Sequence, residues 1–309
     1  MRVLIALGGN AMTSPDGSAR PADQKAAIEI AMESVAGLIG DGVQVVLTHG
    51  NGPQVGNLLV KNEVAAHVVP PVPLDWCVAQ TQATIGVMIM NALEASLARR
   101  GLPARTATLV SRTLVDGADR HFTEPSKPIG RYLNREDAAR MIASGQIWQD
   151  RGERGWRRVV ASPEPLSAVD APAALALLEA GFVVVCGGGG GVPVVRAGDG
   201  SLHGAEAVID KDLTAAVLAV ALGVDRLVIA TDVDHVMTGF GTPAQRALGK
   251  VSVAELTELA GRGEFASGSM GPKVAAACRF VQAGGTAVIT SLDRIGEGVA
   301  GTVGTIVTG

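Results

Sequence analysis

Val3-Leu4-Ile5-Ala6-Leu7-Gly8-Gly9-Asn10 opens the chain with five apolar residues that end at a glycine pair. A run this short cannot span a membrane or form a signal-peptide core. It is apolar at every position rather than at alternate ones, as a strand covered on both faces requires, and such strands belong to parallel sheets. The same signature returns at Val43 to Thr48, Arg105 to Leu109, Val183 to Cys186, Leu227 to Ala230 and Thr286 to Thr290. Between these runs lie Ala-rich stretches of helical period, at Ala22 to Ile39, Trp76 to Arg100, Ala173 to Glu179, Leu213 to Leu222, Val253 to Ala260 and Pro272 to Gln282. Strands alternating with helices predict an α/β fold around a mainly parallel sheet, to which Gly304 to Val307 could add an edge strand.

The 309 residues suit one large unit with a smaller insertion. Apolar residues are 47% and aromatics 3%, which points to a core of small aliphatic side chains and many glycines. With 26 basic and 30 acidic residues the formal charge is −4, and no basic tract could follow a nucleic-acid backbone. Cys77, Cys186 and Cys278 are odd in number and far apart, so they read as buried small hydrophobes. A cytoplasmic protein with no membrane or nucleic-acid partner is expected.

From about Asp116 to Ser162 the rhythm changes. Charges cluster, prolines interrupt, Trp148 and Trp156 appear, and Asn134 can cap a short helix ending near Gly145. So long an excursion inside a compact domain reads as a functional insertion or lid.

Strand after strand ends in glycine: Leu7 in Gly8-Gly9-Asn10, His49 in Gly50-Asn51-Gly52, and Cys186 in Gly187 to Gly191, which includes Gly188 and Gly189. Ligands of open parallel sheets bind at the carboxyl ends of strands, and glycine there lets backbone N–H groups reach a phosphate. Three such loops imply one anion-lined crevice. Neither a Walker A loop nor a dinucleotide glycine fingerprint is present, so another nucleotide fold is meant. No Ser-His-Asp or Cys-His set follows from the spacing, and His49 alone of five histidines adjoins a candidate loop.

Lysine is rare here, six residues against 26 basic ones, so arginine is the ordinary surface cation. Three of the six fall in motif-like segments: Lys127 in Glu-Pro-Ser-Lys-Pro-Ile-Gly, Lys211 between Asp210 and Asp212, and Lys273 in Gly-Ser-Met-Gly-Pro-Lys. A compact ammonium suits a moving phosphoryl group as a point charge. Asp210-Lys211-Asp212 opens an apolar helix, where a carboxylate can cap N–H groups and hold a neighbouring ammonium. Lys273 falls in the first turn of the Pro272 to Gln282 helix, where the positive end of the helix dipole disfavours a cation, so an anion is expected beside it, and a bound phosphate would serve. Asp232, just past the Leu227 to Ala230 strand, suits ribose hydroxyls or a water-bridged magnesium ion.

Taken in order, Ala6 to Ala11, Thr48 to Gly56, Lys127-Pro128-Ile129-Gly130, Gly155-Trp156-Arg157-Arg158-Val159-Val160, Gly187 to Pro193, Glu206 to Asp212 and Gly268 to Lys273 resemble the carbamate kinases over essentially the whole chain. The resemblance implies a three-layer α/β/α sandwich with a mainly parallel central sheet and a small protruding lid subdomain, assembled as a homodimer. It implies reversible phosphoryl transfer between MgATP and carbamate, giving MgADP and carbamoyl phosphate, with Mg²⁺ carried by the nucleotide and no directly assigned protein metal ligand. Lys127, Lys211, Asp212 and Lys273 match the catalytic positions. Gly8, Gly9, Asn10, Gly50, Asn51, Gly52, Gly188 and Gly189 match the substrate and phosphate loops, and Lys211, Asp232, Met270 and Lys273 the nucleotide side. A different acyl-phosphate-forming kinase, or a nucleotide-binding regulator of the same fold, remains the alternative. The chain departs from the family pattern at Val78, Ala83 and Val87 on the long helix, at Met237 and Phe240 near the expected adenine pocket, and at Arg131 in the lid.

Overall fold

The computed structural model describes residues 1–9, 20–103, 105–265 and 269–309. Its centre is an eight-stranded sheet in the spatial order Lys250–Ser252, Thr305–Thr308, Thr286–Ser291, Arg226–Thr231, Arg2–Leu7, Gln44–His49, Val183–Val185 and Thr106–Thr108. The six strands from Thr286–Ser291 to Thr106–Thr108 are mutually parallel, and Thr305–Thr308 runs antiparallel to its neighbour Thr286–Ser291. The carboxyl-terminal strand is therefore not the edge. Lys250–Ser252 pairs beyond it and forms the edge, with Val251 and Val307 both buried.

Nine helices lie among the described residues: α1 (Pro21–Gly40), α2 (Gly52–Ala65), α3 (Leu74–Arg99), α4 (Arg135–Ala143), α5 (Ala171–Glu179), α6 (Lys211–Ala221), α7 (Val253–Gly261), α8 (Met270–Gln282) and α9 (Ile295–Ala300). The first strand shows why three layers form. Val3, Ile5 and Leu7 point to one core with α1, α3 and α9, whereas Leu4 and Ala6 point to another with α5, α6, α7 and α8. Because successive side chains alternate across a sheet, an all-apolar strand feeds two cores at once. Full burial of each large aliphatic side chain contributes roughly 1.5–3 kcal/mol.

Helices α2 and α9 escape the sequence reading. The start Gly52-Pro53 and the interior Gly56 make α2 look like loop, yet Pro53 sits in the first turn, where no N–H is needed, and Val55 and Leu59 bury the inner face. Helix α9 is only six residues long and interrupted by glycine. The expected Asn134 cap forms, accepting the Asp137 N–H, and Ser252 likewise caps α7 by accepting the Glu255 N–H. Pro272 is the third helical residue of α8, not the first, because Met270 already begins it. All three cysteines are free and buried, and burial pushes the Cys186 thiol up to about 11.

Past Thr106–Thr108 the chain builds a second sheet, in the order Leu202–Gly204, Val192–Arg196, Arg112–Val115 and Pro165–Ala168. The strands Arg112–Val115 and Pro165–Ala168 are antiparallel neighbours, so the excursion between them leaves and returns at one place. Within it, Lys127–Leu133, Trp156–Val160 and Trp148–Asp150 form a three-stranded antiparallel sheet. Leu133, Ala138 and Trp148 give this sheet and α4 a small core of their own. Ile129 and Val160 at its base pack with Val55, Leu59 and Cys77 on α2 and α3, which holds it over one end of the large sheet.

Candidate active site

Four neighbouring parallel strands end side by side: Arg226–Thr231, Arg2–Leu7, Gln44–His49 and Val183–Val185. Their carboxyl-terminal loops and the base of the small sheet enclose a cleft of about 810 Å³. The glycine loops are laid on the strand ends by continued ladder bonds, with the Gly8 N–H donating to the Ala230 carbonyl at 2.9 Å and the Gly50 N–H to the Leu7 carbonyl at 3.0 Å. At Gly50 the need for glycine is steric, since a Cβ would lie 2.7 Å from both Cα and N of Gly9. Gly189 has φ +64°, and a Cβ there would fall within 2.0 Å of the Asn51 side-chain nitrogen. The two loops thus meet backbone to backbone, with Gly8, Gly9, Gly50, Asn51, Gly52 and Gly189 all facing the cleft.

Helix α6 supplies the charged floor. Asp210 caps it, accepting the Asp212 N–H at 3.0 Å on Oδ1, while its Oδ2 takes the Lys127 ammonium of the small sheet at 2.8 Å. One turn position on, Asp212 is forked between two lysines: Lys211 Nζ donates to its Oδ1, and Lys273 Nζ from α8 to its Oδ2 at 2.9 Å. Lys211, Asp212 and Lys273 retain only 12%, 4% and 11% of their side-chain exposure. Burial pushes the Asp212 carboxyl up, but the charges of Lys211 and Lys273 outweigh it and hold the group below the ordinary carboxylate range. Burial draws the Lys211 ammonium down, against the pull of Asp212, and the nearby Lys273 charge adds to the lowering. Three lysines thus face two carboxylates, a local excess of one positive charge at the mouths of the glycine loops. Such a floor accommodates a further anion.

The anion expected beside Lys273 is, in the free protein, the Asp212 carboxylate. Asp232 is exposed at the cleft, accepting from Thr231 Oγ1 at 3.0 Å. Met270 and Gly188 do not line the cleft. Met270 packs against the core behind α6 and α8, and a Cβ on Gly188 would strike the His49 ring at 2.3 Å. Asn10 and Gly268 lie outside the described residues. His49 is buried under the loops, its Nδ1 2.9 Å from the Gly50 carbonyl, and burial drags its pKa to about 4. A neutral, enclosed ring of this kind supports the loop and does not exchange protons with a ligand.

Asp210 reads from the sequence as a cap rather than as a site residue, and its pairing with Lys127 links the small sheet to the cleft floor. Arg131 and Arg157 also reach the lining. Arg157 stands in the quoted Gly-Trp-Arg-Arg segment, but only tertiary pairing turns it inward. Among the described residues no cluster of three His, Cys, Asp or Glu side chains could cage a metal. Of the lining carboxylates, Asp210 and Asp212 are committed to lysines, which leaves Asp232 as the one without an ion pair among the described residues. That donor set suits a divalent ion borne by phosphate and water, with at most one carboxylate from the protein.

The amino acid kinase family model matches residues 1–291. The carbamate kinase of Thermococcus kodakarensis is 45% identical over 311 residues, covering 98% of both chains. Carbamate kinase 1 of Enterococcus faecium is 42% identical over 312 residues, covering 99% of both. A solved carbamate kinase from Giardia lamblia bound to AMP-PNP superimposes with a TM-score of 0.93 at 39% identity, over 99% of this chain and 98% of its own. No helix among the described residues is long and apolar enough to cross a membrane.

Proposed function

This chain belongs to the amino acid kinase family, and from that premise we propose that it is an ATP-dependent carbamate kinase, moving a phosphoryl group reversibly between MgATP and carbamate to give MgADP and carbamoyl phosphate. The observation that carries the reading is the Asp212 fork, which sets two ammonium groups beneath the glycine loops.

Phosphoryl transfer asks for alignment and for charge stabilisation on the equatorial oxygens. Gly8 and Gly50 spend their N–H groups on the sheet, so those of Gly9 and Asn51 are the ones available to the acceptor side, and Lys211 and Lys273 to the transferring group. Asp212 sets both lysines, so neither must be reoriented during reaction. Lys127 enters from the small sheet of the 116–162 insertion, which acts as a lid over the cleft, and Asp210 tethers it. A carbamate oxygen is already anionic, so no general base is needed, in keeping with a histidine that is buried and neutral. Asp232 would help to hold, through water, the magnesium ion that the nucleotide brings, and that ion would supply charge neutralisation on the phosphates. Asp232, Lys211 and Lys273 form the nucleotide side.

The outer face of α3 carries Trp76, 59% exposed, and Val87, 46% exposed, and we assign it to a homodimer contact. ATP and ADP as reactants suit a cytoplasmic enzyme working toward ATP in carbamoyl-yielding catabolism, such as that of arginine.

The decisive assay mixes purified protein with MgADP and carbamoyl phosphate and measures ATP, beside acetylglutamate, aspartate, glutamate and UMP each with MgATP. Formation of ATP from carbamoyl phosphate alone is expected. Turnover confined to another acceptor would replace the reading with a different kinase, and no turnover at all with intact ADP binding would mark a regulator. Light scattering at micromolar concentration is expected to give twice the chain mass.

A further inference from the structure

Arg157 stands at the centre of the small sheet, paired directly with Tyr132 on one side and Gln149 on the other. Directly opposed residues in antiparallel strands share a face, so these three side chains project together. Arg151 joins them, donating from Nη2 to Gln149 Oε1 at 2.8 Å, and Arg154 follows from the adjoining turn. Tyr132, Arg151, Arg154 and Arg157, with Pro128, line an open hollow of about 340 Å³ that shares Pro128 and Arg157 with the main cleft.

The charge of this hollow is unanswered. None of Arg151, Arg154 and Arg157 forms an ion pair among the described residues, whereas the neighbouring Arg131 has Glu63 at 3.2 Å. Arg157 Nε is buried with no hydrogen-bond partner, its Nη1 reaches only the Tyr132 hydroxyl at 3.3 Å, and its guanidinium sits 5.0 Å over the Tyr132 ring. Hydrogen bonds from Arg154 and Arg157 draw the Tyr132 hydroxyl below the usual phenol range. A protein of net charge −4 has here gathered three guanidinium groups around one phenol. Like charges so placed repel, and a buried donor without an acceptor is costly. An anion relieves both.

We propose that Arg151, Arg154 and Arg157, with Tyr132, form a second oxyanion site on the small sheet, beside but separate from the Lys211–Lys273 floor, that takes a phosphate-class dianion. Guanidinium forks match phosphate oxygens two at a time, and a tetrahedral oxyanion offers an oxygen to each of three forks where a simple carboxylate cannot. The dianion is either free phosphate or the phosphoryl end of the acyl phosphate substrate before it enters the cleft. Only this last alternative rests on the carbamate kinase reading.

The test titrates inorganic phosphate into wild type, Lys273→Ala and Lys273→Ala/Arg151→Gln/Arg154→Gln by calorimetry, which needs no turnover. The single variant weakens the cleft and is expected to keep one phosphate site. The triple variant is expected to lose that site by at least about tenfold in affinity, about 1.4 kcal/mol. Sulfate should compete and acetate should not. The assignment is overturned if Lys273→Ala abolishes all phosphate uptake, if the triple variant binds as well as the single one, or if Arg151→Lys/Arg154→Lys, which keeps the charge but not the forks, matches wild type. Circular dichroism of these surface variants controls for folding. In the ATP-forming assay, a raised KM for carbamoyl phosphate at unchanged kcat in Arg151→Gln/Arg154→Gln identifies the substrate as the source. An unchanged KM, with inorganic phosphate altering only the wild-type rate, identifies free phosphate.

Discussion

Lys273 Nζ lies 2.9 Å from Asp212 Oδ2 although the two residues are 61 positions apart, and this contact joins the amino ends of α6 and α8 beneath the glycine loops. It makes Asp212 the shared counter-ion of two buried ammonium groups. Removing its charge leaves both uncompensated. Asp212→Asn is therefore expected to lower stability by roughly 3–5 kcal/mol and to abolish measurable turnover. Because the folded carboxyl lies below its ordinary value of 3.8, its stabilisation is fully present above that value and is lost as pH falls through the folded one. Urea unfolding should show the wild-type advantage over Asp212→Asn constant near neutrality and shrinking below pH 3.8.

For Lys273 itself the first-turn argument, taken alone, expects a ligand-free protein whose stability survives Lys273→Ala unchanged or slightly raised. The ion pair reverses that expectation. Lys211 remains on Asp212 in the variant, so the loss should be moderate, about 1–3 kcal/mol. Turnover should fall about a hundredfold, about 2.7 kcal/mol in the barrier. Normal turnover per folded molecule would make Lys273 a structural residue.

Lys127 is half-exposed and bound to Asp210 from across the cleft. Lys127→Ala should keep the fold and ADP affinity while losing at least about tenfold in kcat, about 1.4 kcal/mol. Asp210→Asn is the informative companion, since asparagine still caps α6 but no longer holds the ammonium. It should reduce kcat with the melting temperature nearly unchanged. Unchanged rates in both would return Lys127 to the surface.

His49 provides a pH signature. Its folded pKa of about 4 lies below the ordinary 6.5, so the unfolded chain binds a proton between those values that the folded chain does not. Stability from this group is complete above pH 6.5 and declines toward pH 4, by about 3 kcal/mol in all. His49→Gln should flatten that part of the stability curve, and NMR of the wild-type ring should show a neutral Nδ1–H tautomer at pH 5. A ring that titrates near 6.5 would contradict its enclosure.

Gly50→Ala tests the meeting of the two loops. A Cβ at 2.7 Å from the Gly9 backbone forces the loops apart, since neither contact is a movable side chain. Overpacking of this kind costs about 1–3 kcal/mol, and phosphate affinity should fall with it. Gly52→Ala, with open space at its Cβ, is the matched control for folding and should keep wild-type stability.

The sequence carries the α/β class, the six parallel strands and the glycine loops at their ends, because an all-apolar strand is a local pattern and a strand-end glycine a local necessity. It also singled out Lys127, Lys211, Asp212 and Lys273, by the rarity of lysine and by motif resemblance. It could not place α2, whose Gly-Pro start mimics a loop, or the second-outermost position of the final strand, which depends on what covers Val307. It takes the folded chain to show that Asp212 serves two lysines, that Asp210 ties the small sheet to the floor, that Met270 faces the core, and that Arg157 gathers with Arg151 and Arg154. Each of these is a contact between residues distant in the chain or side by side only through strand register, and local propensity carries no information about which charge a folded backbone brings within 3 Å of another.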